Sequence, residues 1–511
     1  VSFAPESLTD AQLADLRGAL ADFTVDAVHA RLGDEAWRAL ARNETVPARR
    51  ATADSTPLST LIRLFQLQLP VSATEANDAL PGLCDPLLRA GLLTRHADRI
   101  SAAADIRPYG DEEHDWWVIC DLTPGLDGRR HAMDPHYVLG ISEASSSLAQ
   151  LTVRRPVGRA LDLGAGCGVQ ALHLASQADQ VVATDVNRRA LRMAKLTARL
   201  NRIPIDLREG SLYEPVADER FDLIVTNPPF VVSPPDGERL IYRETEFPAD
   251  EVVRRVVAGA ADRLNDGGWC QVLAAWIHAR GVPWRERLAS WIEPTGLDAW
   301  VVQRERVEPS SYAELWLADA GLRGAADYPE RYDRWLRWLD EQDIEAMGFG
   351  WINLRKAGRA QPMTRIEEWT GEVVQPMGDE VLGWGDRCDA LAQLDATGAD
   401  PLDRRWRLAP TVRQTTVGRV GAEHPGTITV TTDRGLRRTA RVDTVEAGLL
   451  GASDGELTPR RILDALATLT DRDAGELRRR YAPVVRQFIE EGFLLSADDD
   501  RLSSSPERKA E

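Results

Sequence analysis

The run Ala160-Leu-Asp-Leu-Gly-Ala-Gly-Cys-Gly168 constrains what this chain can fold into more than any other segment. Four residues of strand chemistry lead into glycines at alternate positions, 164, 166 and 168, and a helical stretch follows from Val169 to Ser176. Glycines at such a turn let the backbone bend sharply and approach a ligand more closely than a side chain would allow. The next apolar strand, Val181-Val-Ala-Thr184, ends in Asp185. That places a carboxylate about twenty residues after the turn, where it can accept from both hydroxyls of a ribose. The spacing is GxGxG, not the GxGxxG with which a helix N-terminus normally holds a pyrophosphate. The pattern predicts a nucleoside cofactor and argues against a dinucleotide. A purely structural turn is the bland alternative, and it leaves Asp185 as coincidence.

The surroundings fit an open α/β sheet. Ala160-Leu-Asp-Leu163, Val181-Val-Ala-Thr184, Phe221-Asp-Leu-Ile-Val-Thr226 and Trp269-Cys-Gln-Val-Leu-Ala274 are short apolar strands, separated by helical stretches such as 188–200 and 249–264. Near-continuous apolar strands alternating with helices predict a parallel sheet covered on both faces. Two more strands are expected at 300–307 and 348–354, with a Trp- and Arg-rich helix, 328–347, inserted between them. Trp335 and Trp338 are expected in the core, and Arg331, Arg334 and Arg337 on a solvated face.

The third of those strands stops at Asn227-Pro228-Pro229-Phe230. Two prolines cannot continue a sheet ladder, so they force a rigid, extended end at the carboxyl edge, where ligands bind in open α/β sheets. They also remove N–H donors and leave carbonyl oxygens, to which Asn227 can add an amide oxygen. Such acceptors suit a planar NH2 group, holding both hydrogens and directing the nitrogen lone pair at an electrophile. Phe230 offers a flat face for stacking against the carrier of that nitrogen. An ordinary proline-rich loop is the alternative.

Taken together, Leu161-Asp-Leu-Gly-Ala-Gly-Cys-Gly168, Asp185 and Asn227-Pro-Pro-Phe230 resemble the class I S-adenosylmethionine-dependent N-methyltransferases, over roughly residues 135–357. The resemblance implies a Rossmann-like sheet, mostly parallel with its last strand antiparallel, and S-adenosyl-L-methionine as cofactor with S-adenosyl-L-homocysteine as product. It places Asp162, Gly164, Gly166 and Gly168 at the methionine end and Asp185 on ribose. Ser211 and Leu212 fall by the adenine, with Ser211 standing where the family often has Asp. Asn227 and the carbonyl of Pro228 would grip the acceptor nitrogen, beside Pro229 and the stacking ring of Phe230. Tyr137 and Glu143, in Pro135-His-Tyr-Val-Leu-Gly-Ile-Ser-Glu143, would close over the cofactor. The longer run to Pro235 is similar to HemK-type protein-glutamine methyltransferases. Phe at 230 is similar to the small-domain enzymes that methylate exocyclic amines of adenine or guanine in RNA.

The flanks read differently. Residues 1–134 carry amphipathic helices and then strand-like stretches, an order similar to a winged-helix module. Residues 358–497 carry strands and then helix, helix and strand, a second winged-helix-like unit. The methyltransferase-like segment is 135–357 with an insertion at about 308–347, and 498–511 reads as a disordered tail. At roughly 150 residues per domain, 511 residues suggest about three. A net charge of −18 argues against a surface that grips phosphate as a whole. Cys84, Cys120, Cys167, Cys270 and Cys388 show no CxxC spacing, and His131, His136 and the acids 111–115 no ligand spacing, so no metal is expected. No signal or membrane segment is seen, which makes a cytoplasmic enzyme the default.

The expected reaction is methyl transfer to a planar amide or amino nitrogen of a macromolecule, first of all a protein glutamine. Base methylation of ribosomal or transfer RNA, a small-molecule acceptor, and a non-catalytic cofactor-sensing regulator are the alternatives. Partners are a protein or RNA substrate and no membrane; the oligomeric state stays open.

Overall fold

A computed structural model describes residues 3–128, 134–235, 241–244, 247–420 and 426–497, so the tail at 498–511 and His131 lie outside the described residues. Contacts divide the chain into two compact units, residues 1–149 with 155–368, and residues 150–154 with 369–511.

In the first unit the chain begins with helices α1 (Asp10–Ala19), α2 (Val25–Leu40), α3 (Val46–Ala51) and α4 (Pro57–Leu61). Thr9 starts α1 with a reciprocal capping box to Gln12, and Thr24 caps α2 through Ala27 N–H. Strand β1 (Val71–Ser72), α5 (Ala73–Ala79), α6 (Cys84–Arg89), β2 (Leu93–His96) and β3 (Arg99–Ala102) follow, the strands pairing in the order β1-β3-β2. A hairpin of β4 (Asp105–Gly110) and β5 (Asp115–Cys120) ends this region.

Beyond it lie α7 (Glu143–Leu151), β6 (Val157–Leu163), α8 (Val169–Ala175), β7 (Ala178–Asp185), α9 (Arg188–Asn201), β8 (Asp206–Glu209), β9 (Phe221–Thr226), α10 (Glu251–Arg263), β10 (Leu264–Ala279), α11 (Trp284–Ile292), β11 (Asp298–Val307), α12 (Pro309–Asp319), α13 (Tyr328–Glu341), β12 (Ile344–Arg355) and β13 (Thr364–Glu368). The eight strands form one sheet in the order β13-β11-β12-β10-β9-β6-β7-β8. Every pairing is parallel except those of β12, which runs antiparallel to both β10 and β11. This is the mostly parallel, Rossmann-like α/β sheet; its antiparallel strand, β12, is the last within residues 135–357, while β13 beyond it adds to the edge in parallel. Leu223, Ile224 and Val225 of β9 are fully buried, as a central strand covered on both faces requires.

Two details differ from the sequence reading. The inserted helix ends at Glu341, and residues from Ile344 onward join β12, because Ile344 pairs with Ala279 and Ala346 with His278. Sheet pairing decides there over a helix-compatible local pattern. The core of the N-terminal region, moreover, is continuous with that of the sheet domain. Phe23, Phe65, Leu87 and Ile106 share one apolar cluster with Leu172 of α8 and Met193, Leu196 and Leu200 of α9. Polar ties reinforce that packing: Asn201 accepts from Trp117 N–H at 2.9 Å and donates to its carbonyl at 2.8 Å, while buried Thr197 accepts from Ile119 N–H. Tyr109 Oη lies 2.7 Å from His173 Nε2 on α8. The five cysteines are buried.

The second unit holds α14 (Gly378–Thr397), β14 (Trp406–Leu408), an antiparallel sheet of β15 (Val412–Val417), β16 (Thr427–Thr432) and β17 (Thr439–Val442), then α15 (Thr444–Gly451), α16 (Pro459–Thr470), α17 (Ala474–Glu490) and β18 (Leu494–Ser496), which pairs with β14. Trp406, Leu463, Tyr481, Val485 and Ile489 are buried there.

Candidate active site

In the central sheet the chain runs from β6 outward to β7 and β8 on one side, then returns to place β9 and β10 on the other. At such a reversal the connections leaving neighbouring strands diverge, and a crevice opens at their carboxyl ends. Leu163, the last residue of β6, stands opposite Thr226, the last of β9, and Thr226 Oγ1 donates to the Leu163 carbonyl at 2.6 Å. The glycine turn and the Asn227 loop therefore leave the sheet side by side. Between them lies a cavity of about 480 Å³.

Gly164, Gly166, Asp185, Ser211, Leu212, Asn227, Pro228, Pro229 and Tyr137 all line that cavity. Gly164 and Gly166 have φ of +83° and +54°, and a Cβ on either would meet nothing within 4 Å. The left-handed backbone calls for glycine here, and the space in front of it is free for a ligand. Asp185 fastens the turn. Its Oδ2 accepts from Gly166 N–H and its Oδ1 from Asn187 N–H, both at 2.8 Å. Burial raises its pKa, and the N–H groups of Asn187, Gly166 and Val186 oppose that rise. Asn187 in turn caps α9 through Arg189 N–H and donates to the His136 carbonyl at 3.0 Å, linking the segment around Tyr137 to the acid's loop.

On the other wall, Asn227 Oδ1 is buried and meets no hydrogen-bond donor among the described residues. A carbonyl oxygen withdrawn from water without a donor costs about 1–3 kcal/mol, so this oxygen suits a ligand that brings an N–H. The loop's continuation is held firmly: Val231 N–H donates to the Arg243 carbonyl and Val232 N–H to Tyr312 Oη, both at 2.8 Å. Tyr242 sets its ring edge-on to Tyr137 at 5.6 Å, and Ile241 N–H donates to the Pro135 carbonyl at 3.1 Å.

Four candidates lie off the cavity lining. Asp162 points beneath the turn, where its buried Oδ2 accepts from Ala171 N–H at 3.0 Å and so ties β6 to α8. Burial pushes its pKa up to about 7, and the Asp185 charge adds to that. Gly168 begins α8 with φ of +91°, a left-handed backbone that favours glycine, and a Cβ there would be in ordinary contact with Ala194 on α9. The ring of Phe230 turns into an aromatic cluster, edge-on to Trp316 at 6.4 Å and Phe349 at 6.1 Å. Glu143 is exposed at the start of α7. The cavity also gathers residues that no motif announced, among them Ser145, Gln170, Asn187, Tyr242 and Glu244. Gln170 carried a weak signal, as a polar residue in the first turn after the glycines. Glu244 carried none.

Comparison with known proteins meets this geometry. Residues 140–277 match the methyltransferase small domain. The resemblance to class I methyltransferases therefore holds across the whole stretch that contains the glycine turn, Asp185 and the Asn227 loop. Residues 20–103 match a domain of unknown function, DUF7059. Among curated relatives, a release factor glutamine methyltransferase of Geobacter sulfurreducens is 36% identical over 124 residues, covering 22% of this chain and 43% of that protein. Ribosomal RNA small subunit methyltransferase C of Idiomarina loihiensis is 32% identical over 169 residues, 33% of this chain and 42% of its own length. Its counterpart from Erwinia tasmaniensis is 34% identical over 178 residues, 33% and 46%. The chain thus spans less than half the length of each of these relatives. The methyltransferase small domain covers the cavity walls from Gly140 to Val252, while α12 and α13 fall outside it.

Proposed function

We propose that this protein transfers a methyl group from S-adenosyl-L-methionine to a planar amide or amino nitrogen of a macromolecule, with a protein glutamine side chain as the preferred acceptor. The observation that carries the reading is Asn227 Oδ1, buried and without a donor among the described residues, on the same cavity as the glycine turn and Asp185. The residues present fit the cofactor: Asp185 offers a carboxylate for ribose, Gly164 and Gly166 leave open space for the methionine end, and Ser211 and Leu212 line the part assigned to adenine. When bound, S-adenosyl-L-methionine would supply a methyl group already activated on a positive sulfonium. The protein's share is alignment. Asn227 Oδ1 and the Pro228 carbonyl accept both hydrogens of the acceptor's NH2 and fix the direction of its lone pair, and the wall formed by Tyr137 and Tyr242 restricts water. With its ring packed on Trp316 and Phe349, Phe230 is better suited to hold the loop in place than to stack on a flat base, which favours a side-chain amide over a nucleobase.

The test is Asn227→Ala. Titration calorimetry should give S-adenosyl-L-homocysteine affinity within about threefold of wild type, while tritium transfer to the macromolecular fraction of a lysate falls by about 100-fold or more, equivalent to at least ~3 kcal/mol of lost alignment. Retained turnover refutes the assignment. Label recovered in RNA instead of protein would move the acceptor to a nucleobase.

A further inference from the structure

We propose that Gln170 is a further cofactor-binding residue, its side-chain oxygen accepting from the α-ammonium group of S-adenosyl-L-methionine. The assignment rests on the cofactor reading above and names a contact outside the glycine turn, Asp185 and the Asn227 loop.

Gln170 stands in the first turn of α8, two residues beyond Gly168, and borders the cavity. It is 7% exposed, which is rare for a side chain that carries both a donor and an acceptor. Its Nε2 donates to the Ser145 carbonyl at 2.7 Å. A carbonyl can only accept, so this bond fixes which end of the amide is nitrogen. The oxygen is the end left over, and no donor meets it among the described residues.

The Ser145 bond also shapes the cavity. Ser145 Oγ accepts from Ser142 N–H at 2.9 Å and donates to the Ser142 carbonyl at 2.8 Å, a turn that opens α7. Ser142 and Ser145 line the cavity with Gln170. One end of the Gln170 amide thus holds the start of α7 to α8, and the other end stays available to a ligand.

Charge decides what that oxygen can take. The methionine part of the cofactor carries one cationic donor, the ammonium, and one anionic acceptor, the carboxylate. An amide oxygen attracts the first and repels the second. Lysine or arginine would hold the Ser145 carbonyl equally well, but would set a positive charge beside the ammonium. Around the glycine turn, the carbonyls of Leu163, Ala165 and Thr184 each already accept from the protein. Gln170 adds an acceptor that nothing in the turn uses.

The test is a thermodynamic cycle by titration calorimetry on the full chain, with S-adenosyl-L-homocysteine and its analogue lacking the α-amino group. Wild type should prefer S-adenosyl-L-homocysteine by about tenfold or more, as a hydrogen bond to a charged group requires. Gln170→Met keeps the length of the side chain and removes the oxygen. Its preference should fall to within about threefold, with affinity for the analogue within about threefold of wild type. Gln170→Glu keeps an acceptor but gives up the Ser145 bond, and guards against a folding defect in the first variant; the preference should survive in it. An undiminished preference in Gln170→Met, an equal loss for both ligands in that variant, or a wild type that binds both within threefold overturns the proposal and leaves the transfer reading standing. Wild-type protein that binds neither ligand overturns the cofactor reading itself, and the assignment with it.

Discussion

Asp162 makes an unusual demand on the fold: a carboxylate 1% exposed, one oxygen on Ala171 N–H and the other without a donor among the described residues. Its pKa rises from 3.8 to about 7 through burial. In the unfolded chain it ionises near pH 4; in the folded protein it resists ionisation until about pH 7. Folding is therefore unhindered by this group below pH 4, loses stability as pH rises from 4 to 7, and bears the full penalty above that. At about 1.4 kcal/mol per pH unit the penalty reaches ~4 kcal/mol, and about 2 kcal/mol of it develops between pH 5.5 and pH 8. Asp162→Asn keeps an acceptor for Ala171 N–H and removes the titration. Its urea midpoint, compared with wild type across that range, should improve steadily, with the stability difference growing by about 2 kcal/mol in favour of Asn. If the two proteins respond to pH in parallel, Asp162 is not a buried liability and the argument from burial is wrong.

Asp185→Ala removes the acceptor of two backbone N–H groups along with the proposed ribose contact; at ~1.5–3 kcal/mol for a charged hydrogen bond, S-adenosyl-L-homocysteine affinity should fall by about 100-fold in calorimetry. An unchanged affinity would move the cofactor elsewhere. Asn201→Ala leaves the Trp117 N–H and carbonyl unpaired where β5 meets α9, and should cost ~2–4 kcal/mol by urea unfolding. A loss below about 1 kcal/mol would mean that water replaces the amide there. Asn227→Ala completes the set: it should lower the transfer rate at every pH while S-adenosyl-L-homocysteine affinity holds within about threefold.

What could be read along the chain was chemistry attached to strand ends. The glycine turn, Asp185 and Asn227-Pro-Pro each follow a short apolar strand, and a parallel α/β sheet obliges such ends to share one edge. Sequence alone could not turn Phe230 into its cluster, because Trp316 and Phe349 come from α12 and β12, far along the chain. Nor could it convert 344–347 from helix to strand, since the deciding partner is β10. The N-terminal region read as a separate module, yet its apolar side chains complete a core with α8 and α9, and no local pattern records which surface an amphipathic face will meet.

The residues from Leu161 to Phe230 determined the class of fold and the two ends of the candidate site by themselves, because turn geometry and strand alternation are local properties of the backbone. Only the tertiary structure brought Tyr242 and Glu244 to the cavity, left Asn227 Oδ1 without a donor among the described residues and buried Asp162. Those are outcomes of packing between segments remote in sequence, and burial and electrostatics take their values from neighbours that the chain order does not name.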